Sequence, residues 1–416
     1  MSSSYRKRVA TNPSCRAGVA AAVVGSAIMA AIPAHGAQVY VQPIVSAEVQ
    51  SSSNVSLETD NVNHRQVEGY FADAAAVMGI ATPRSDTTLR PRLLYRYYPD
   101  DSDLNRLEAF LDLATQFDSQ RSHFRMFGRF DHRDETQAER AAADFNDVTP
   151  TPDSPETGRV RIGATRDLLL LMPDYRYNLT QRTDIGAAAT LQSLSYSPDD
   201  ATSHVDFNYY LGKGYLRWSL SPRTDLAVGA FTSRYDAKNI DSQSTSYGVS
   251  GDLDVNWSAI LSSSVSVNYQ RADIDRTEPT VFKDKTNAWG AIVGTTYKGQ
   301  LSRVRFTLGR SITPSGSGGL YNSDSVRVQY ERDLTPRWEL TTAARYLRNR
   351  ALSRDVTGND RNYTRAEVEL KWMVTPTWFV QAGYEYTWQK YENDPFSAAD
   401  NSFALRVGYQ GLPRQR

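Results

Sequence analysis

A chain of 416 residues with 47 basic and 47 acidic side chains has no net charge, which argues against nucleic acid as a partner and against a polybasic membrane anchor. A mean hydropathy of −0.53, with no later apolar run long enough to span, excludes a helical membrane protein. It does not exclude one built from strands, where lipid-facing and lumen-facing residues alternate and average out polar.

The first element is a leader. Arg6, Lys7, Arg8 and Arg16 precede an apolar run over 17–34 that closes on the small residues Ala34, Gly36 and Ala37, the layout of a secretory signal peptide. Cleavage after Gly36 gives the better small-x-small match, whereas cleavage after Ala37 places His35 upstream. The expected division is therefore a signal peptide over 1–37, cut near 36/37, and one mature domain over 38–416. The one cysteine, Cys15, lies before the apolar run, not after it as in a lipoprotein. The mature chain is thus expected to have no disulfide, thiol chemistry or cysteine-bound metal.

Beyond the leader a turn phrase recurs: Leu179-Thr180-Gln181-Arg182-Thr183, Leu220-Ser221-Pro222-Arg223-Thr224, Leu334-Thr335-Pro336-Arg337-Trp338 and Val374-Thr375-Pro376-Thr377-Trp378. Proline pre-sets φ for a tight turn, and the Ser or Thr before it can bond the backbone locally. Looser copies stand at Leu261-Ser262 and Leu301-Ser302. Between turns the side chains alternate. In 363–372, Thr364, Ala366, Val368, Leu370 and Trp372 oppose Tyr363, Arg365, Glu367, Glu369 and Lys371. Such runs exceed the usual globular strand and match the roughly 9–11 residues of a tilted membrane strand. A sandwich or propeller also alternates, but with shorter strands, and backbone in lipid must be paired within a closed sheet. Rings at fixed offsets from the turns (Tyr177, Trp218, Trp372, Trp338, Trp378) predict an aromatic girdle.

In chain order the predicted strands are 39–50, 69–80, 87–98, 103–116, 121–131, 164–178, 183–196, 204–219 and 224–235. They continue at 244–257, 263–273, 286–297, 302–313, 321–332, 337–348, 362–374, 377–391 and 401–410. The fold class is an all-β, antiparallel up-and-down transmembrane barrel of about 18 strands, or 16 if the irregular first two do not belong. Short turns and both termini belong on the periplasmic side. The connection over 132–163 is an external loop or an inward constriction, with a short helix over 135–145. Gly212-Lys213-Gly214 reads as a bulge and Gly316-Ser317-Gly318-Gly319 as a flexible external loop. Phe403, Leu405, Val407 and Tyr409 share one face of the last strand, close to the signal read by the barrel-assembly machinery, though a tail follows Tyr409.

The Leu-Ser-Pro-Arg-Thr and Tyr-x-Leu-Thr turns, with Pro173-x-Tyr175-x-Tyr177 leading into one of them, resemble the outer-membrane β-barrel porins encoded with exopolysaccharide or exosortase systems. The resemblance covers about 66–410. It implies an outer-membrane location in a Gram-negative bacterium and a role in exopolysaccharide export or envelope transport, with lipid and export-system components as partners. It supplies no catalytic residue.

Four histidines follow the leader, His64, His123, His132 and His204, and none has metal-ligand spacing. His204 beside Asp206, or His132 beside Asp131 and Asp134, would be needed for hydrolytic chemistry, and no second motif joins them. No enzyme, metal or cofactor is expected. Alternation instead assigns Arg90, Arg92, Arg96, Glu108, Asp112, Arg121, Arg125, Arg129, Arg303, Arg305, Arg345, Arg365, Glu367, Glu369 and Arg406 to the inner wall. There they either form a charged, hydrated lumen that orients anionic or sugar-like solutes, or hold the wall in register as cross-strand ion pairs. The functional expectation is a porin-like channel. The competing class is a non-conducting structural or adhesive barrel filled by its own charges and the 132–163 loop.

Overall fold

The computed structural model describes residues 37–59, 65–140, 164–197, 204–237, 240–277, 281–352, 360–412 and 414–415. The expected leader, His64 and the part of the 132–163 connection beyond 140 lie outside them.

Alternation and turn chemistry produce the strands β1 Gln38–Ser52, β2 Val67–Ala81, β3 Ser85–Tyr97, β4 Arg106–Asp118, β5 Ser122–Asp134 and β6 Thr165–Asn178. They continue as β7 Thr183–Ser197, β8 Phe207–Ser221, β9 Thr224–Ala237, β10 Ser242–Asn256, β11 Leu261–Arg276 and β12 Phe282–Lys298. The last are β13 Ser302–Ser315, β14 Gly319–Thr335, β15 Trp338–Ala351, β16 Arg361–Met373, β17 Trp378–Tyr391 and β18 Ala398–Gln410, then the two-residue β19 Arg414–Gln415. One short helix, α1 Glu135–Ala138, follows β5. Consecutive strands from β1 to β18 pair antiparallel, and β1 closes the ring on β18 from Ile44↔Gln410 to Ser52↔Ser402. The fold is a closed 18-strand antiparallel barrel. A 16-strand count fails because β1 pairs with β2 along its whole length, from Gln38↔Ala81 to Ser52↔Val67. The tail after Tyr409 returns as β19 beside Tyr40 and Val41 of β1.

The turns built on the recurring Ser/Thr phrase lie at one end. Thr335 Oγ1 accepts hydrogen bonds from Arg337 N (3.2 Å) and Trp338 N (3.1 Å), and Thr375 Oγ1 accepts from Thr377 N (3.3 Å) and Trp378 N (3.0 Å). Ser258 Oγ plays the same part for Ile260 and Leu261. The looser copies at Leu261 and Leu301 therefore mark the exit of their turns, not the entry. No bulge forms at Gly212–Gly214. Gly212 pairs in register with Ala189 and Thr232, and the shift falls beside the turn, between Ser219 and Ser221. Both glycines face outward, where an added Cβ would meet nothing within 4 Å, so their lack of a side chain leaves no packing gap.

The outer surface carries the apolar face, with Leu93, Leu107, Val249, Leu308 and Leu405 exposed. Rings bound this band on both sides. Trp338 stacks on Trp372 at 5.6 Å, and Trp378 meets Tyr409 at 5.4 Å near the short turns. Toward the other end stand Tyr346, Trp289 and the Tyr384–Phe403 pair at 4.8 Å. Trp338 and Tyr346 lie on one strand, as do Trp289 and Tyr297. Each pair is about 8 residues apart, or about 20 Å of height on strands tilted by about 40°. An exposed apolar band of that height is the surface lipid satisfies and water does not.

The wall is interrupted between the upper parts of β12 and β13. β12 and β13 pair only from Ala291↔Arg310 to Lys298↔Arg303, while β13 and β14 pair from Ser302↔Arg332 to Ser315↔Gly319. Residues 282–290 of β12 and 311–315 of β13 thus lack each other as neighbours. Pro314 has no N–H to offer a neighbouring strand. Beyond Arg310 the β13–β14 hairpin leans inward, where Leu320 and Ile312 pack with Leu168, Leu194, Tyr196, Val205, Phe207 and Tyr235.

Candidate functional site

The inner wall is a lattice of ion pairs. Arg92 meets Asp73 at 2.8 Å, Arg96 meets Glu108 at 3.0 Å and Arg129 meets Asp112 at 2.7 Å, across neighbouring strands. Arg406 bonds Glu48 at 2.6 Å, Arg365 reaches Glu385 at 3.0 Å and Glu367 at 3.3 Å, and Glu331 receives Arg305 at 2.6 Å and Arg303 at 3.6 Å. Arg345 is buried, and Glu369 lines the same cavity as Glu367. Arg90 stands on β3 in register with Asp112, whose carboxylate is occupied by Arg129. Arg125 is exposed on β5, between Gln116 and Asp174. Arg121 lies in the exposed turn before β5, not on the strand as alternation suggested. Its backbone oxygen accepts from Asn178 N at 2.8 Å, which closes the turn against β6.

A cavity of about 180 Å³ opens among these pairs, lined by Glu48, Asp73, Arg92, Arg365, Glu385 and Arg406 together with Gln137 of α1. A second, of about 200 Å³, lies against the β6–β10 wall among Asp174, Lys213, Tyr215, Arg217, Asp225 and Asp252. There Lys213 pairs with Asp252 and Arg217 with Asp225, both at 2.7 Å, and Tyr215 Oη donates to Asp174 at 2.8 Å. Reading a bulge at 212–214 hid this face, although Lys213, Tyr215 and Arg217 alternate as clearly as their neighbours.

The mouth is narrowed by segments that fold inward. After β5 the chain makes α1 and delivers Arg140 to the β17–β18–β1 side. Arg140 Nη1 donates to Asp400 at 2.9 Å and Glu385 at 3.4 Å, and Nη2 donates to the backbone oxygens of Val55 (2.7 Å) and Asn54 (3.2 Å). Burial would weaken this cation, but Asp400 and Glu385 outweigh it and hold its pKa above the ordinary guanidinium value. Asp400 also accepts from Ser52 Oγ (2.8 Å), Ser53 Oγ (3.1 Å) and Asn54 N (2.8 Å), so one carboxylate gathers the strand ends around the turn. Arg361 donates to Glu139 O at 3.1 Å.

The 316–319 segment, expected as a flexible external loop, is also drawn in. Gly316 O accepts from Val205 N at 2.7 Å, Ser315 O from Tyr235 Oη at 2.8 Å and Gly318 O from Arg276 at 3.3 Å. Gly318 has φ +94°, a conformation only glycine adopts without strain.

The histidines do not take the carboxylate partners considered from sequence. His132 bonds Asp167 at 2.5 Å on the outer face near the rim. Asp206 instead accepts from Tyr196 N at 2.9 Å, while His204 lies against Glu135 of α1. Burial pushes the Glu135 carboxyl above its ordinary value, against the pull of His204.

No protein-family model and no curated protein matches the chain. Solved structures with a similar layout include OccAB3 of Acinetobacter baumannii, with a TM-score of 0.45 and 9% identity over 90% of this chain and 99% of that one. OccK2 (OpdF) of Pseudomonas aeruginosa in complex with glucuronate has a TM-score of 0.45 and 11% identity, over 90% and 98%. OpdK of Pseudomonas aeruginosa with vanillate has 0.43 and 10%, over 90% and 99%. At these identities no lumen residue is carried across.

Proposed function

We propose that the chain is a porin-like channel of a Gram-negative outer membrane that passes small hydrophilic solutes, its mouth narrowed by the turn carrying Arg140. The observation that carries this reading is the pairing of a continuous charged inner face with a closed wall whose outer face is an apolar band between rings. A barrel of 16–18 strands encloses water unless it is filled, and here cavities persist beside the ion pairs. Lipid and the barrel-assembly machinery are the partners this reading requires, the latter through the outward Leu405, Val407 and Tyr409 of β18. Export of an exopolysaccharide is the narrower form of the proposal. It rests on the turn and strand motifs and requires the Arg140 turn to swing clear of Asp400.

Planar-bilayer recording is the test. Refolded protein is expected to give discrete conductance steps of small unit size. Folded protein that carries no current would leave the structural or adhesive barrel in its place. Polymer passage is read separately, as uptake of oligosaccharides of increasing length by proteoliposomes.

A further inference from the structure

We propose that Glu135, Glu139 and His204 form a binding site for a divalent transition-metal cation of the Zn2+ class, which clamps α1 to the segment entering β8. No local spacing announces this trio, because His204 is far from both glutamates in sequence. In space, one ligand atom from each of the three lies within 4.8 Å of the others. Glu135 and Glu139 are one helical turn apart, with Glu139 N bonded to Glu135 O at 3.0 Å, so their carboxylates share a side.

All three side chains are buried, the glutamates completely and His204 to 4% exposure. A carboxylate withdrawn from water needs hydrogen bonds or a cation. Glu135 Oε1 faces His204 Nε2, but Oε2 is buried and makes no hydrogen bond. That oxygen is the observation beyond clustering that points to a missing ligand. One imidazole nitrogen and two carboxylates suit Zn2+ and its first-row neighbours, whereas Ca2+ and Mg2+ prefer all-oxygen sets. Three protein ligands leave a fourth position for water.

A cation of the chain itself already reaches this trio. Arg361 Nη2 stands 3.9 Å from Glu139 Oε2 but donates to Glu139 O, while its Nη1 bonds Gln389. Arg166 is buried on β6, and Tyr196 packs its ring 4.9 Å from that of His204. Without metal, the same contact is made by the Nε2–H of His204 donating to Glu135, with a proton in the place of the cation. The experiment must therefore separate a metal from a proton.

Full-length protein, refolded in detergent and stripped with chelator, is titrated with Zn2+ by calorimetry and with Co2+ by visible absorption. One Zn2+ per chain is expected, with Co2+ giving the bands of a four-coordinate site. Glu139→Gln and His204→Ala should each weaken Zn2+ binding at least tenfold, and His132→Ala, on the outer face, should leave it unchanged. If His204→Ala does not refold, His204→Gln keeps the test open, with heat-modifiable gel mobility reporting folding. A folded wild type that binds no Zn2+, or equal affinity in folded Glu139→Gln, overturns the site. Binding is read without any current, so the site stands or falls apart from the channel reading.

Discussion

Arg140→Ala is expected to raise single-channel conductance severalfold and to make the current noisier, the largest functional change any one substitution should produce. Arg140 follows α1 at the mouth, and its guanidinium holds two carboxylates and two backbone oxygens at once. Cutting it to alanine removes all four attachments and strands Asp400 in a buried place. Breaking such a pair costs about 3–5 kcal/mol. Much of that cost is the charge left behind, so Arg140→Ala with Asp400→Asn should recover thermal stability while keeping the enlarged conductance. Arg140→Lys keeps the charge but not the planar fork and should fall between. Conductance of Arg140→Ala equal to wild type would show that the turn does not limit the pore.

Leu405→Arg is expected to destabilise the inserted barrel by about 2–4 kcal/mol, the cost of an arginine facing the middle of the bilayer. Its neighbour Arg406 gives the contrast. Leu405 faces outward at 54% exposure, whereas Arg406 turns inward to Glu48. Arg406→Leu should therefore change ion selectivity toward cations, since Glu48 loses its partner, with a smaller effect on insertion. Urea-dependent folding into lipid vesicles, followed by tryptophan emission, measures the first effect, and reversal potentials in a salt gradient measure the second. Leu405→Arg folding as well as wild type would remove lipid from the outer face.

The wall was legible because each strand carries its own signal within about ten residues. Thr364 to Trp372 alternate against Tyr363 to Lys371, and the structure keeps those two sets on opposite faces of β16. Threonine and proline placed the turns because their bonds are local, as at Thr335 and Thr375. The mouth was not legible for the opposite reason. Arg140 meets Asp400 across 260 positions and Arg361 meets Glu139 across 222, and no periodicity spans such gaps. Composition suggested a helix after 135, and α1 begins there. Where its side chains would land depends on how the ring closes. Gly316–Gly319 misled for a related reason, since glycines permit a mobile loop and also permit a tight inward turn such as the one at Gly318.

The short ladder between β12 and β13 changes how this cylinder can deform. In an unbroken ring, moving the rim of one strand drags every strand beside it. Here the upper β13–β14 hairpin is tied to β14's far neighbour and to the inward-facing cluster, but not to β12 above Ala291. The hairpin can pivot like a flap cut on one side, with Arg310 over the Trp289 ring as the rivet where the cut stops. What holds its tip in place of a ladder to β12 is the set of bonds from Val205, Tyr235 and Arg276 across the inside of the ring.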